Sequence, residues 1–163
     1  PIRWQRAETL EALLETSDCV SLHTVLTGST RHMIDAERLQ RMKKNAVLVN
    51  TSRGPVIDEA ALVAHLRENP EFRAGLDVFE SEPNLAPGLA DLDNVVLVPH
   101  IASATSWSRQ GMAALAAANV AGILQGYPVW QRPDMSPFLE DDPPRAAPSI
   151  VNAEALGIGG FAG

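Results

Sequence analysis

The sequence predicts an α/β fold built on an open parallel sheet. Short apolar runs, such as residues 46–49 and 95–98, alternate with segments of about ten residues that have helical spacing of Leu and Ala. Strands that are apolar throughout are typical of a parallel sheet covered on both faces. Right-handed crossovers then place the intervening helices on those faces, so we expect a doubly wound sheet.

Each element has a local signal in the sequence. Asp35 and Asp58 are expected N-caps, because a short acidic side chain accepts from the free N–H groups of a first helical turn. Asn69-Pro70 ends the helix that Asp58 begins. Leu39 and Met42 are expected to face the core. The expected helices are residues 6–16, 35–41, 59–68 and 105–124, and the expected strands are residues 19–22, 46–49, 73–78 and 95–98.

Two regions differ in character. Residues 1–125 carry the strands and helices and end in an Ala-rich helix. The small side chains of this helix would allow another domain or subunit to approach it closely. Residues 126–163 form a Pro-rich tail without a regular core. We expect this tail to lie as a strap over a substrate domain absent from the sequence, anchored by apolar side chains at Trp130, Phe138 and Ile150.

Composition excludes several classes of function. The net charge is −7, and no basic stripe marks a nucleic-acid surface. No apolar run approaches the roughly 20 residues that span a bilayer. Cys19 is the single cysteine, which fits a reducing intracellular compartment, and we interpret it as a buried small hydrophobe. The sequence starts at Pro1 in mid-pattern, so we expect it to be incomplete, with no targeting peptide visible.

Chemically useful side chains follow the predicted strands. Because ligands of an open parallel sheet bind beyond the carboxyl ends of its strands, these side chains are expected at one edge. An imidazole suits proton donation to the oxygen of a 2-oxo acid during hydride transfer, and a carboxylate beside it favours the imidazolium. An Arg suits the substrate carboxylate. The residues at this edge are Thr24, Val25, Arg53, Asp77, Glu80, Glu82 and His100.

The roles follow from this chemistry. His100 is the expected general acid, and Arg53 is expected to bind the substrate carboxylate. Either Glu80 or Glu82 could orient the imidazole, and the residues alone leave that choice open. Asp77 could accept from a nicotinamide amide group. No metal site is predicted.

At these residues the sequence resembles the D-isomer-specific 2-hydroxyacid dehydrogenase family. The matching stretches are VSLHTVLTGSTRHMI, LVNTSRGPVIDEAALVAHL, GLDVFESEP and VLVPHIAS. The resemblance implies the second half of a Rossmann-type NAD-binding domain, with Arg53, Glu82 and His100 as catalytic residues. It implies cofactor contacts at Thr24, Val25, Thr30, Thr51, Ser52, Arg53, Asp77, His100, Ala102 and Ser103.

Within the family, the stretches PGLADLDNVVLVPHIASAT, GYPVW and PPRAAPSIVNAEALG are similar to plant-type hydroxypyruvate reductases. This implies reduction of hydroxypyruvate or glyoxylate to D-glycerate or glycolate with NADH, or with NADPH as the less favoured cofactor. It further implies a homodimer and, by analogy, a photorespiratory organelle. A phosphoglycerate or other D-2-hydroxyacid dehydrogenase is an alternative, and a nucleotide-sensing corepressor-like protein is another.

Some features depart from the family. Many members carry Pro where this chain has Val25. The chain ends Phe161-Ala162-Gly163 rather than in a Ser-Lys-Leu-type peroxisomal signal. The choice of localisation among mitochondrion, peroxisome and cytosol therefore stays open. The Gly-rich phosphate turn and most of the substrate domain would lie before Pro1. We therefore expect the 163 residues alone to be inactive.

Overall fold

Four parallel strands form the sheet of this computed structural model, which describes residues 4–126, 129–130, 157 and 160–161. The strands are β1 (Cys19–Leu22), β2 (Val47–Asn50), β3 (Arg73–Leu76) and β4 (Val95–Leu97), hydrogen-bonded in that order. Every pair is parallel. The predicted open parallel α/β sheet is therefore confirmed, and the carboxyl ends of all four strands meet at one edge.

The helices lie between the strands at nearly the predicted positions. They are α1 (Leu10–Thr16), α2 (Ala36–Arg41) and α3 (Glu59–Glu68), with a 3-10 turn at Gly54–Val56. Asp35 and Asp58 cap α2 and α3, since their carboxylates accept from the backbone N–H groups of Arg38 and Ala61. The N-cap of α1 is Thr9, so that helix begins later than residue 6.

Helices α1 to α3 and the sheet share one apolar core. Leu14, Leu39 and Leu62 from the helices are fully buried beside Leu48 and Leu76 from β2 and β3. Met42 is also buried, so the predicted inward face of α2 is confirmed. Strand β3 ends at Leu76, two residues earlier than predicted.

The prediction that Cys19 is buried is wrong. Alternate residues of β1 point to opposite faces of the sheet, because the side-chain period of a strand is two. Val20 and Leu22 face the core, whereas Cys19 and Ser21 are exposed. The polar Ser21 was the signal in the sequence that this run is not apolar throughout.

The chain divides into two compact units, residues 1–102 and residues 103–163. The second contains α4 (Ser106–Gln125), which Thr105 caps and which ends at Gly126 in the left-handed conformation that glycine adopts without strain. Two short strands, β5 (Val129–Trp130) and β6 (Gly160–Phe161), pair in parallel. The predicted domain boundary at residue 125 stays a prediction. The anchors Phe138 and Ile150 and most of the predicted strap lie outside the described residues, as does the side chain of Trp130.

The described part of the chain contains neither a membrane-spanning helix nor a metal-binding cluster. No helix there is long and apolar enough to cross a membrane. No group of three or more His, Cys, Asp and Glu side chains there could hold a metal ion.

His65 on α3 makes the stability of the protein sensitive to pH. Burial lowers the pKa of His65, against an opposing effect of Glu68. Its Nε2 is buried and has no hydrogen-bond partner among the described residues, and its ring packs edge-on against Phe72 at 4.7 Å between ring centroids. The folded protein therefore favours the neutral ring.

We predict that stability falls as the pH drops below the ordinary histidine pKa of about 6.5, because the unfolded chain then binds a proton that folded His65 does not. Urea unfolding at about pH 7.5 and pH 5.5 measures the loss. His65→Gln should lose less stability over this interval, whereas His23→Gln, at an exposed position, should lose as much as the parent protein. An equal loss in His65→Gln and the parent would contradict the prediction.

Candidate active site

A cavity of about 480 Å³ opens at the carboxyl ends of β1 and β2. Its size falls within the range of roughly 300–1,000 Å³ that is usual for small-molecule sites. It lies where an open parallel sheet binds ligands. The residues that line it are His23, Thr24, Val25, Leu26, Thr51, Ser52 and Arg53.

Arg53 belongs to a tight turn, residues 50–54, that we call the Arg53 turn. Asn50 is 1% exposed, and its side chain holds both sides of the turn. It donates to the carbonyl of Arg53 at 3.0 Å and accepts from the N–H and hydroxyl of Ser52 at 3.0 and 2.8 Å. The guanidinium of Arg53 itself is exposed beside the cavity, and it donates to the Ser52 carbonyl at 2.6 Å.

Gly54 lets the Arg53 turn approach the segment after β3, residues 77–82, which we call the acidic loop. A Cβ atom at Gly54 would lie 1.9 Å from the carbonyl carbon of Phe79, so no other residue fits without displacing the backbone. The glycine of the NTSRG stretch is therefore required by close approach of two backbone segments. This approach brings Arg53 near Glu82, where the guanidinium charge helps to lower the pKa of Glu82.

Glu82 and His100, which follow strands β3 and β4, are in direct contact. Oε2 of Glu82 lies 2.9 Å from Nδ1 of His100, and Oε1 accepts the N–H of Phe79 at 2.9 Å. The hydrogen bond from His100 lowers the pKa of Glu82 below its usual range, and the Phe79 N–H lowers it further. Glu82 is therefore a carboxylate at neutral pH, and its Oε2 accepts a hydrogen bond from Nδ1 of the His100 ring.

Asp77 holds the segment that carries His100, residues 98–102, which we call the His100 loop. His100 has a φ of 52°, an uncommon backbone conformation for a residue other than glycine. The buried carboxylate of Asp77 accepts the N–H groups of Ile101 at 2.6 Å and Ala102 at 2.9 Å. Sequence reasoning missed this role, although an acidic residue at a strand end was its signal. The predicted contact of Asp77 with a nicotinamide amide stays a prediction.

Glu80 is directed away from His100. Its carboxylate lies 2.6 Å from Nε2 of His32 and 3.4 Å from the guanidinium of Arg31. Of the two glutamates that the residues alone left open, Glu82 is thus the one in contact with His100. The resemblance had selected the same residue.

Of the other predicted cofactor contacts, Val25 lines the cavity and Thr30 holds the turn that carries it. The hydroxyl of Thr30 donates to the carbonyl of Val25 at 2.7 Å and accepts from the N–H of Thr27 at 2.8 Å, so this turn is held although Val25 replaces a proline. Val25 is 75% exposed. Ser103 begins the second compact unit, so its contact stays a prediction.

The chemistry of this lining fits part of a nicotinamide nucleotide. Thr51 and Ser52 supply hydroxyl groups beside the cavity, and Arg53 supplies a cation. Thr24 also lines the cavity, and its hydroxyl is buried with no hydrogen-bond partner among the described residues. A buried polar atom without a partner is costly, so a site of this kind gains from a polar ligand.

The chain is similar to known reductases of small acids. It is 58% identical over 161 residues to a peroxisomal glycerate dehydrogenase of Arabidopsis thaliana, covering 97% of this chain and 42% of the relative. It is 58% identical over 160 residues to a glycerate dehydrogenase of Cucumis sativus, covering 96% and 42%. The chain thus spans less than half the length of these curated relatives.

A solved structure and a family model agree with these relatives. The NADPH-dependent glyoxylate/hydroxypyruvate reductase from Sinorhizobium meliloti, in complex with NADP and malonate, superposes with a TM-score of 0.67 at 38% identity. The match covers 71% of this chain and 36% of that one. Residues 3–102 match the family model of the D-isomer specific 2-hydroxyacid dehydrogenase NAD binding domain. The chain therefore belongs to the D-isomer specific 2-hydroxyacid dehydrogenase family and contains part of its NAD binding domain.

Proposed function

We propose that the protein reduces hydroxypyruvate to D-glycerate and glyoxylate to glycolate, using NADH or NADPH. The observation that carries this proposal is the contact between Glu82 and His100, at 2.9 Å, together with Arg53, which lines the cavity and whose charge helps to lower the pKa of Glu82. A proton donor and a carboxylate-binding cation are the two groups that reduction of a 2-oxo acid requires from the protein. The bound cofactor supplies the hydride and is oxidised to NAD⁺ or NADP⁺.

His100 provides the proton. Its Nδ1 is engaged with Glu82, so Nε2 is the ring nitrogen that donates to the oxygen of the substrate carbonyl. Glu82 stabilises the imidazolium before the transfer and holds the ring in one orientation throughout. His100 leaves the reaction neutral and regains a proton from solvent.

Arg53 binds the substrate carboxylate. A guanidinium presents two parallel N–H groups that match the two oxygens of a carboxylate, which a lysine ammonium cannot do. The Arg53 turn is fixed by Asn50, so the guanidinium starts from a defined backbone position. This geometry orients the 2-oxo group of the substrate toward His100.

The relatives support the finer parts of the proposal. Two are glycerate dehydrogenases, one of them described as peroxisomal, which supports the proposal of a photorespiratory role in an organelle. A homodimer is also proposed. On α4, Trp107, Val120 and Leu124 are more than half exposed, as is usual for side chains that a second subunit covers.

The function is tested on the full-length gene product by following cofactor absorbance with hydroxypyruvate, glyoxylate and 3-phosphohydroxypyruvate. We expect turnover of the first two substrates. Absence of turnover with all three would refute the reductase activity. A preference for 3-phosphohydroxypyruvate would instead identify the activity as that of a phosphoglycerate dehydrogenase.

His100→Ala is predicted to lower kcat for reduction by about 10²–10⁴-fold, because positioned proton donors contribute roughly that much. Cofactor binding, measured by quenching of protein fluorescence, should persist. Glu68→Ala, an exposed change on α3, is the control and should leave kcat unchanged. Full activity of His100→Ala would exclude the proton-donor role.

Arg53→Lys is predicted to lower kcat/KM by roughly 10- to 100-fold, since a hydrogen bond to a charged group is worth about 1.5–3 kcal/mol. Most of the change should fall on KM for the 2-oxo acid. The matched control is Arg41→Lys, which alters a surface arginine paired with Glu15 and Glu37. Equal kinetics of the two variants would contradict the role of Arg53.

The 163 residues alone are predicted not to turn over any of the three substrates. The curated relatives are more than twice as long as this chain, and the predicted phosphate turn is not among these residues. Stopped-flow and steady-state assays of the isolated chain check this prediction. Measurable turnover would show that the catalytic set is sufficient without further sequence.

A further inference from the structure

Glu59, the first residue of α3, lies in an unusual place for an acidic side chain. It is 4% exposed, although burial of a carboxylate is costly unless hydrogen bonds compensate. Burial is the main reason that the pKa of Glu59 is raised. A glutamate in a first helical turn normally faces solvent and interacts with the helix dipole. Glu59 instead faces the acidic loop.

The acidic loop and α3 hold each other through two carboxylates. Oε1 of Glu59 accepts the N–H of Glu80 at 2.5 Å, and Oε2 of Glu80 lies 3.4 Å from the N–H of Glu59. The backbone N–H of Ala86 also contributes a hydrogen bond to Glu59. The other oxygen of Glu80 is held by His32, at 2.6 Å. The backbone of the loop is thus held by α3, independently of its contact with His100.

Two adjacent N–H groups of the loop have carboxylate partners on different sides. The N–H of Phe79 donates to Glu82, which in turn contacts His100, and the next N–H along the chain donates to Glu59. The carbonyl group of Phe79 is the one that Gly54 approaches closely. The two successive peptides that meet at the Cα atom of Phe79 therefore connect Glu59 to the Glu82–His100 pair.

We propose that Glu59 is a positioning residue for the reaction, because it holds the Phe79–Glu80 peptide and thereby keeps Glu82 in contact with His100. This inference rests on the proposed function, in which the contact prepares the proton donor. Glu59 itself touches neither the cavity lining nor His100 in any recorded contact of the described residues. Its effect on the reaction is carried through the backbone of the acidic loop.

The test compares Glu59→Ala, Glu59→Gln and the control Glu68→Ala on the full-length protein. Misplacing catalytic groups by about 1 Å can cost roughly 100-fold in rate, so Glu59→Ala should lower kcat by about 10- to 100-fold. KM for the 2-oxo acid should change little. Glu59→Gln should recover most of kcat, because its amide oxygen can still accept the N–H of Glu80. The control should match the parent protein.

A second readout does not depend on turnover. In ¹⁵N-edited NMR spectra, the Nδ1–H of His100 bonded to Glu82 gives a downfield proton signal, which His100→Ala assigns. We expect Glu59→Ala to lose this signal and Glu59→Gln to keep it. If Glu59→Ala does not fold, Glu59→Asp, which withdraws the carboxylate by one methylene, takes its place in both measurements.

The outcomes separate the two proposals. A parent protein that shows the His100 signal but reduces no 2-oxo acid refutes the proposed function, while the NMR comparison still decides the positioning role. A parent protein that is active, with an unchanged kcat and an unchanged His100 signal in Glu59→Ala, overturns the inference. Loss of stability without change in either readout would mean that Glu59 supports the fold alone, and that outcome also overturns it.

Discussion

The close approach of Gly54 to the backbone of Phe79 is the constraint on which the site depends. A side chain at residue 54 would collide with the Phe79 carbonyl group, so its absence lets the Arg53 turn pack against the acidic loop. The same loop supplies Glu82 to His100. One packing contact between two strand ends thus brings together an arginine, a carboxylate and an imidazole that are distant in sequence.

Buried polar groups keep these strand ends in place. Asn50 fixes the Arg53 turn, and Asp77 fixes the His100 loop through two backbone N–H groups. Glu59 does the same for the acidic loop. Each is buried and bonded to backbone, which satisfies polar groups that the loops would otherwise leave unpaired. The side chains that act on substrate can then remain exposed, as Arg53 and His100 are.

Acidic residues in this region divide into different roles although they are close in sequence. Glu80 and Glu82 are separated by one residue, yet one faces His32 and the other faces His100. Composition and spacing treat the two as equivalent. Their partners come from segments about 50 and 20 residues away, so local pattern cannot distinguish the role of each, whereas the family resemblance and the folded chain both do.

The sequence alone determined the parallel sheet, the caps at Asp35 and Asp58, and the presence of Arg53 and His100 at strand ends, because these depend on local periodicity, capping chemistry and strand order. For Cys19 the only local signal was the polar Ser21 two residues later, and tertiary structure decided that this face of β1 is exposed. Tertiary structure also decided that Glu82 contacts His100, that Asp77 binds the His100 loop and that Glu59 turns inward. Each of these depends on a hydrogen bond between residues far apart in the chain.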